Sequence, residues 1–279
     1  MAMMDEIDRM VKAALAEDIG SGDITSESVL DPESGGKGII HAKSEMVLAG
    51  IEFAIRTFRA VDKDVRFDAR FSDGDRLQPG DKIAFVEGRL RSLLATERTA
   101  LNFLQRASGI ATLTARYVER VRGDKAKILD TRKTAPGLRA LDKAAVRAGG
   151  GTNHRFGLFD AVLIKDNHIA AAGGVREALT RAKRSVSSSM RTEVEVTNNE
   201  EIDEAIEAGA DLIMLDNMNV GAIAEAVARI AGRAEIEVSG NVNLDMVADI
   251  ARAGVDFISV GALTHSAPAA DISMDIRKL

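Results

Sequence analysis

Residues 204–217, EAIEAGADLIMLDN, and residues 249–262, DIARAGVDFISVGA, carry one pattern twice. In each copy a helix-type run ends on a glycine, Gly209 or Gly254, and a short apolar run follows. Glycine readily takes the left-handed conformation that stops a helix, so the pattern reads as helix, stop, strand. Between the two glycines there is room for two βα units. Apolar runs of the same kind stand at 127–131 (KILDT), 161–166 (AVLIKD), 192–197 (TEVEVT) and 235–240 (EIEVSG), with helical stretches between them. Strands alternating with helices predict a parallel sheet. An eight-stranded barrel takes roughly 250 residues. The part of the chain after residue 110 is shorter, so the expectation is an irregular (β/α) barrel with fewer than eight regular strands.

The first part of the chain has a different grammar. The β-type runs KGIIHAKS (37–44), DVRFDARF (64–71) and KIAFVEGRL (82–90) are separated by the turn signals SDGD and QPGD, and the helical IEFAIRTFRAV (51–61) lies among them. This predicts a small α+β domain over residues 1–110, opened by a leading helix. Helical spacing over 93–121 supplies a helix leading out of it. The barrel is assigned to 111–279, and its C-terminal segment is expected to pack back on the first domain. The two hairpin signals also suit a biotinyl or lipoyl carrier, but no Met-Lys-Met attachment sequence is present.

Composition narrows the function. The 279 residues contain no cysteine, which removes disulfides, thiolate metal sites and a cysteine nucleophile. A net charge of −6 argues against a general nucleic-acid binder. No apolar run approaches the roughly 18 residues of a membrane span, and residues 1–20 lack the basic and apolar regions of a signal peptide. The expectation is a soluble, cytoplasmic enzyme.

In a (β/α) barrel the active site lies at the C-terminal strand ends. Those ends read Asp130, Thr131, Arg132 and Lys133, then Lys165, Glu195, Asp216, Ser239 with Gly240, and Gly261 with His265 just beyond. Singly, each has an ordinary explanation: loop cations are usually solvated, and Gly and Ser are common in turns. Their joint placement at corresponding positions favours an anion site. Arg132, Lys133, Arg155 and Lys165 suit carboxylates or phosphates. Glu195 and Asp216 offer hard oxygens for Mg²⁺. The SGN and VGA turns follow the last two strands, where this architecture often binds phosphate.

The motifs ERTALNFLQRASGIAT, DTRKTAPGLR, GGGTNHRFGLFDAVLIKDNHI, LIMLDN, EVSGNV and ISVGALTHS, with EDIGSGDIT near the start, together resemble the quinolinate phosphoribosyltransferases, the carboxylating nicotinate-nucleotide pyrophosphorylases. Ala135, Val238 and Thr197 depart from the family's usual threonine, alanine and acid. The resemblance implies an N-terminal open-faced α/β sandwich followed by the irregular barrel, in a homodimer. It implies conversion of quinolinate and phosphoribosyl pyrophosphate (PRPP) to nicotinate mononucleotide, pyrophosphate and CO₂ with Mg²⁺. Arg132, His154, Arg155 and Lys165 would then hold the quinolinate carboxylates, with Arg98 arriving from the neighbouring subunit. Lys133, Glu195 and Asp216 would serve pyrophosphate, ribose and Mg²⁺, and Ser239, Gly240, Gly261 and His265 the 5-phosphate. Three other readings stay open at this point: a pyrophosphorylase-like paralogue associated with molybdate transport, a Schiff-base aldolase using Lys165, and a non-catalytic metabolite-binding barrel.

Overall fold

The computed structural model describes residues 2–279, with side chains from Asp5 onward. The chain begins with α1 (Ala2–Ile19), α2 (Ile24–Val29), β1 (Gly35–Ala42), β2 (Met46–Val47), α3 (Ile51–Val61), β3 (Arg66–Ala69), β4 (Arg76–Leu77), β5 (Lys82–Arg89) and the long α4 (Leu90–Arg120). Next come β6 (Lys127–Leu129), α5 (Arg139–Ala148), β7 (Val162–Ile164), α6 (Asp166–Ala172), α7 (Val175–Ser185), β8 (Thr192–Val196) and α8 (Asn199–Glu207). The chain continues through β9 (Leu212–Asp216), α9 (Val220–Ile230), β10 (Glu235–Ser239), α10 (Val247–Arg252), β11 (Phe257–Ser259), α11 (Ala262–His265) and β12 (Ile272–Lys278). Two compact units result: residues up to 115 with 134–150 and 263–279, and residues 116–133 with 151–262.

The first unit is built on an antiparallel sheet in the order β12-β1-β5-β3. Every second residue of β1 is buried, as expected of a strand that packs one face. Helix α3 buries Ile51, Ala54 and Phe58, a helical stripe of spacing three and four. These side chains join Ile40, Ile83, Leu101, Leu104 and Met274 in one apolar core. Phe58 is fully buried there, a contribution of about 1.5–3 kcal/mol.

The second unit holds a six-stranded parallel sheet in the order β6-β11-β10-β9-β8-β7. Strands that follow one another in sequence pair from β7 to β11, and β6 then pairs with β11. That order is a barrel with one seam, between β6 and β7. Segment 151–161 lies in sequence before β7, and its Thr152 makes a single parallel bridge to Leu129. The glycines of the repeated pattern stop their helices: Gly209 after α8 has φ +72° and Gly254 after α10 has φ +91°. Asn198 and Asn219 cap α8 and α9 by accepting the backbone N–H of Glu201 and Ala222. Each cap ends a strand-to-helix turn and so fixes where the preceding strand end stands. Among the described residues, no helix is long and apolar enough to cross a membrane.

Candidate active site

Except for Arg98 and His265, the residues singled out above lie in the second unit. The register of the parallel sheet sets their spacing. Ile164 pairs with Val194, so Lys165, the next residue, comes level with Glu195. Its Nζ lies 2.5 Å from Glu195 Oε2. Lys165 is also the N-cap of α6, and its backbone N–H donates to Nδ1 of His168. His168 is therefore a capping residue on an exposed turn. Asp216 ends β9 two residues beyond Met214, the register partner of Glu195, pairs in register with Ser239, and accepts from the side-chain amide of Asn217 at 2.6 Å.

At the seam, Asp130 organises the approach to the site. Its buried carboxylate accepts the backbone N–H of His154 at 2.8 Å and the side-chain amide of Asn153 at 2.5 Å. Thr152 is tied to the strand on either side, donating to Ile128 and accepting from Asp130. Nδ1 of His154 accepts the backbone N–H of Arg155 at 2.8 Å, and Nε2 lies 3.0 Å from Glu193 Oε2. A ring whose Nδ1 accepts carries its hydrogen on Nε2, so His154 is the neutral Nε2–H tautomer in this arrangement. Arg155 donates to the carbonyl of Ala161 at 3.0 Å. Burial and then the charge of Arg132 hold its guanidinium below the usual arginine range, while Glu193 and Asp160 act the other way. Two guanidiniums close enough to repel, with Lys165 at the next strand end, form a cationic wall suited to a multiply charged anion.

The turn after β10 is built for close backbone approach. Gly240 has φ +97°, and a Cβ there would sit 2.3 Å from Oδ1 of Asn217. Asn217 itself has φ +54° and Asn241 φ +51°, and the two side-chain amides hydrogen-bond at 3.1 Å. Ser239 and Gly261 stand at the ends of β10 and beyond β11. His265 ends α11 in the first unit, exposed, with Nδ1 2.6 Å from Ser266 Oγ. In that unit Arg106 grips the buried Asp142 through two 2.8 Å contacts and reaches the carbonyl of Thr264, so α4 and α5 hold the turn that carries His265. Arg98 is exposed on α4 and makes no hydrogen bond or ion pair among the described residues.

Four neighbours of these residues also shape the site: Asp130, Glu193, Glu237 and Ser259. Parallel strands covered on both faces normally read as unbroken apolar runs. Glu193 and Glu237 interrupt theirs two residues before Glu195 and Ser239, which is the sequence signal that marks them.

As a carboxylate pair, Glu195 and Asp216 fit a divalent cation of the magnesium type. Such an ion takes one or two protein carboxylates and completes its shell with water and substrate phosphates. Both side chains are half-buried on adjacent strands.

Comparison with known proteins agrees with this architecture. The sequence profile of the quinolinate phosphoribosyl transferase N-terminal domain matches residues 23–108, and that of the C-terminal domain matches 110–275. The chain is 42% identical over 271 residues to a probable nicotinate-nucleotide pyrophosphorylase (carboxylating) of Bacillus subtilis, covering 97% of this chain and 93% of that protein. A decarboxylating quinolinate phosphoribosyltransferase of Nicotiana tabacum is 43% identical, covering 96% and 81%. The crystal structure of NadC from Streptococcus pyogenes superposes with a TM-score of 0.94 at 46% identity, covering 98% and 97%. Two domain profiles that span nearly the whole chain, relatives matched over most of their length, and a shared fold leave one assignment: this chain belongs to the quinolinate phosphoribosyltransferase family.

Proposed function

We propose that this chain transfers the phosphoribosyl group of PRPP to the ring nitrogen of quinolinate, with decarboxylation, giving nicotinate mononucleotide, pyrophosphate and CO₂ for NAD biosynthesis in the cytoplasm. The observation that carries the reading is the arrangement of charge on one rim of the parallel sheet. Arg132, Arg155 and Lys165 crowd the ends of β6 and β7, the carboxylates of Glu195 and Asp216 follow on β8 and β9, and the Ser239–Gly240 turn comes after β10. A dianionic pyridine, a pyrophosphate and a 5-phosphate each have a complementary stretch of that rim.

The chemistry needs no protein nucleophile. Pyrophosphate leaves the anomeric carbon and the lone pair of the pyridine nitrogen forms the new bond. Positioning and electrostatics therefore supply the rate. Arg132, Arg155 and Lys165 hold the two carboxylates and keep the nitrogen aimed at the ribose. Both ring nitrogens of His154 are engaged within the protein, so its part is to hold Arg155 in place. Lys133 faces the departing pyrophosphate, while Ser239, Gly240, Gly261 and His265 take the 5-phosphate. When bound to Glu195 and Asp216, Mg²⁺ would neutralise charge accumulating on pyrophosphate. Loss of CO₂ leaves an electron pair on the ring carbon beside the quaternised nitrogen, which stabilises it until a proton arrives.

Arg98, exposed and without a side-chain partner among the described residues, is assigned to the site of a neighbouring copy in a homodimer. Mixing Arg98→Ala with Lys165→Ala, each inactive alone, should restore one working site per mixed dimer. Persistent inactivity after verified subunit exchange would remove the shared site. The function is tested by turnover of quinolinate with PRPP and Mg²⁺, following nicotinate mononucleotide and CO₂, with nicotinate as a parallel acceptor. Product from quinolinate alone supports the reading, and no product from folded protein overturns it.

A further inference from the structure

Below the rim, the same strands carry a second pair of carboxylates. Alternation along a strand places Glu193 on the same side as Glu195, one layer deeper, and Glu237 on the same side as Ser239. The side chain of Glu193 is 6% exposed and that of Glu237 is 0% exposed. One atom each from His154, Glu193 and Glu237 lie within 4.8 Å of one another. Nε2 of His154 is 3.0 Å from Glu193 Oε2 and 3.6 Å from Glu237 Oε2. Ser259 donates to Glu237 Oε1 at 2.5 Å. Oε1 of Glu193 and Oε2 of Glu237 have no hydrogen-bond partner among the described residues.

Two buried carboxylates at this separation cannot both stay charged without a counter-charge of their own. Neutral His154 has one N–H for the two of them. A single additional proton, carried by Glu237 and donated to Glu193, gives both orphaned oxygens a partner. Burial first, and then the charge of Glu193, push the Glu237 carboxyl up to about 8, against the opposing pull of Ser259 and Lys165; a charged His154 would pull the same way, and the neutral ring does not. The groups facing it are Glu193 from β8, His154 from the seam, Lys165 from the end of β7 and Ser259 from β11. On β9 its register partner is the uncharged Met214.

We propose that Glu237 is a positioning residue acting through Glu193 on His154. Held as the neutral acid, it donates to Glu193; that carboxylate accepts Nε2–H of His154, and the locked ring fixes the backbone of Arg155. Its catalytic readout rests on the reading of Arg155 as a ligand of the acceptor's carboxylate.

The test compares Glu237→Gln, which keeps a donor and an acceptor in the same shape, with Glu237→Met, which keeps only volume. Loss of a hydrogen bond to a charged group is worth roughly tenfold or more, so Met should raise KM for quinolinate by about that factor while KM for PRPP stays put. Gln should rescue to within about twofold of wild type. In protein labelled with ¹⁵N-histidine, where only four rings contribute, His154 should show the neutral Nε2–H tautomer in wild type and Gln, and tautomer exchange in Met. Gln as impaired as Met, or a ring of another tautomer in wild type, would overturn the proposal. So would an equal rise of both KM values in Met, or one tightly held divalent cation per chain that Gln abolishes. Wild type without turnover on quinolinate would sink the functional reading instead, leaving the ¹⁵N spectra of wild type and Gln to decide this one. Those spectra also suffice should Met not fold.

Discussion

Glu195 and Glu193 stand two residues apart on β8 and point to the same side of the sheet, but their company differs. Glu195 meets Lys165 at a half-open rim, cation against anion. Glu193 meets His154 and a second carboxylate in a closed interior. The rim balances its charges with groups that a ligand can displace, so it costs little to build and is free to exchange partners. The interior can balance only with protons and fixed dipoles, so its arrangement is rigid. One strand thus carries an open pair of charges at its end and a closed cluster one step below.

The sharpest way to break this contrast is at the rim. Lys165→Ala should lower turnover by about two to three orders of magnitude. An ion pair open to solvent on the lysine side is worth about 1 kcal/mol, so thermal unfolding should move only slightly; a large fall in Tm would show that the rim is structural after all. In the interior the balance reverses. Asp130→Ala strips the acceptor from two donors, the backbone N–H of His154 and the amide of Asn153. At about 1–3 kcal/mol for each donor left unsatisfied, denaturant titration should register a clear loss of stability together with a raised KM for quinolinate. Gly240→Ala returns to the rim, at the turn after β10. A side chain at φ +97° beneath Asn217 should cost about 1–3 kcal/mol of backbone strain and weaken PRPP, leaving quinolinate unaffected.

The most gradual effect is the dependence on pH, at most about 1.4 kcal/mol per pH unit. Glu237 moves from 4.5 in the unfolded chain to about 8 when folded, so the native state binds more protons between those values. Its contribution to stability is complete below pH 4.5 and is lost as pH rises through about 8. Wild type should therefore lose stability over that window relative to Glu237→Gln, by a slope of at most one proton. Parallel curves for the two proteins would mean that Glu237 is already ionised in the native state.

Much of the fold was legible because it follows from local pattern. The apolar runs at KILDT, AVLIKD, TEVEVT, DLIMLDN, EIEVSG and DFISVGA became the six parallel strands, and Gly209 and Gly254 ended the helices that their spacing marked. The rim residues were readable for the same reason, since a strand's last polar side chain is a property of one short segment. The layer beneath shows in sequence only as two interruptions of apolar runs, at Glu193 and Glu237. A glutamate inside TEVEV reads as the polar side of a half-buried strand, and only the curl of the sheet turns that side into an interior. Nor does sequence bring together His154, Glu193, Glu237 and Ser259, each from a different part of the chain. The hydrogen bond that sets the tautomer of His154 comes from a backbone N–H that no pattern announces.

The pairing of β12 with β1, from Gly36 with Lys278 to Ala42 with Ile272, has a consequence for how the protein is made. A chain leaving the ribosome usually completes its N-terminal domain first. Here the first unit's sheet stays one strand short, with an open edge on β1, until residues 272–278 emerge. All the strands of the parallel sheet are synthesised before then. The unit that begins the chain is therefore the last to be finished, and β1 is exposed to edge-to-edge association for the whole of that interval. Its aggregation hazard is thus greatest in the nascent protein and in chains truncated before β12.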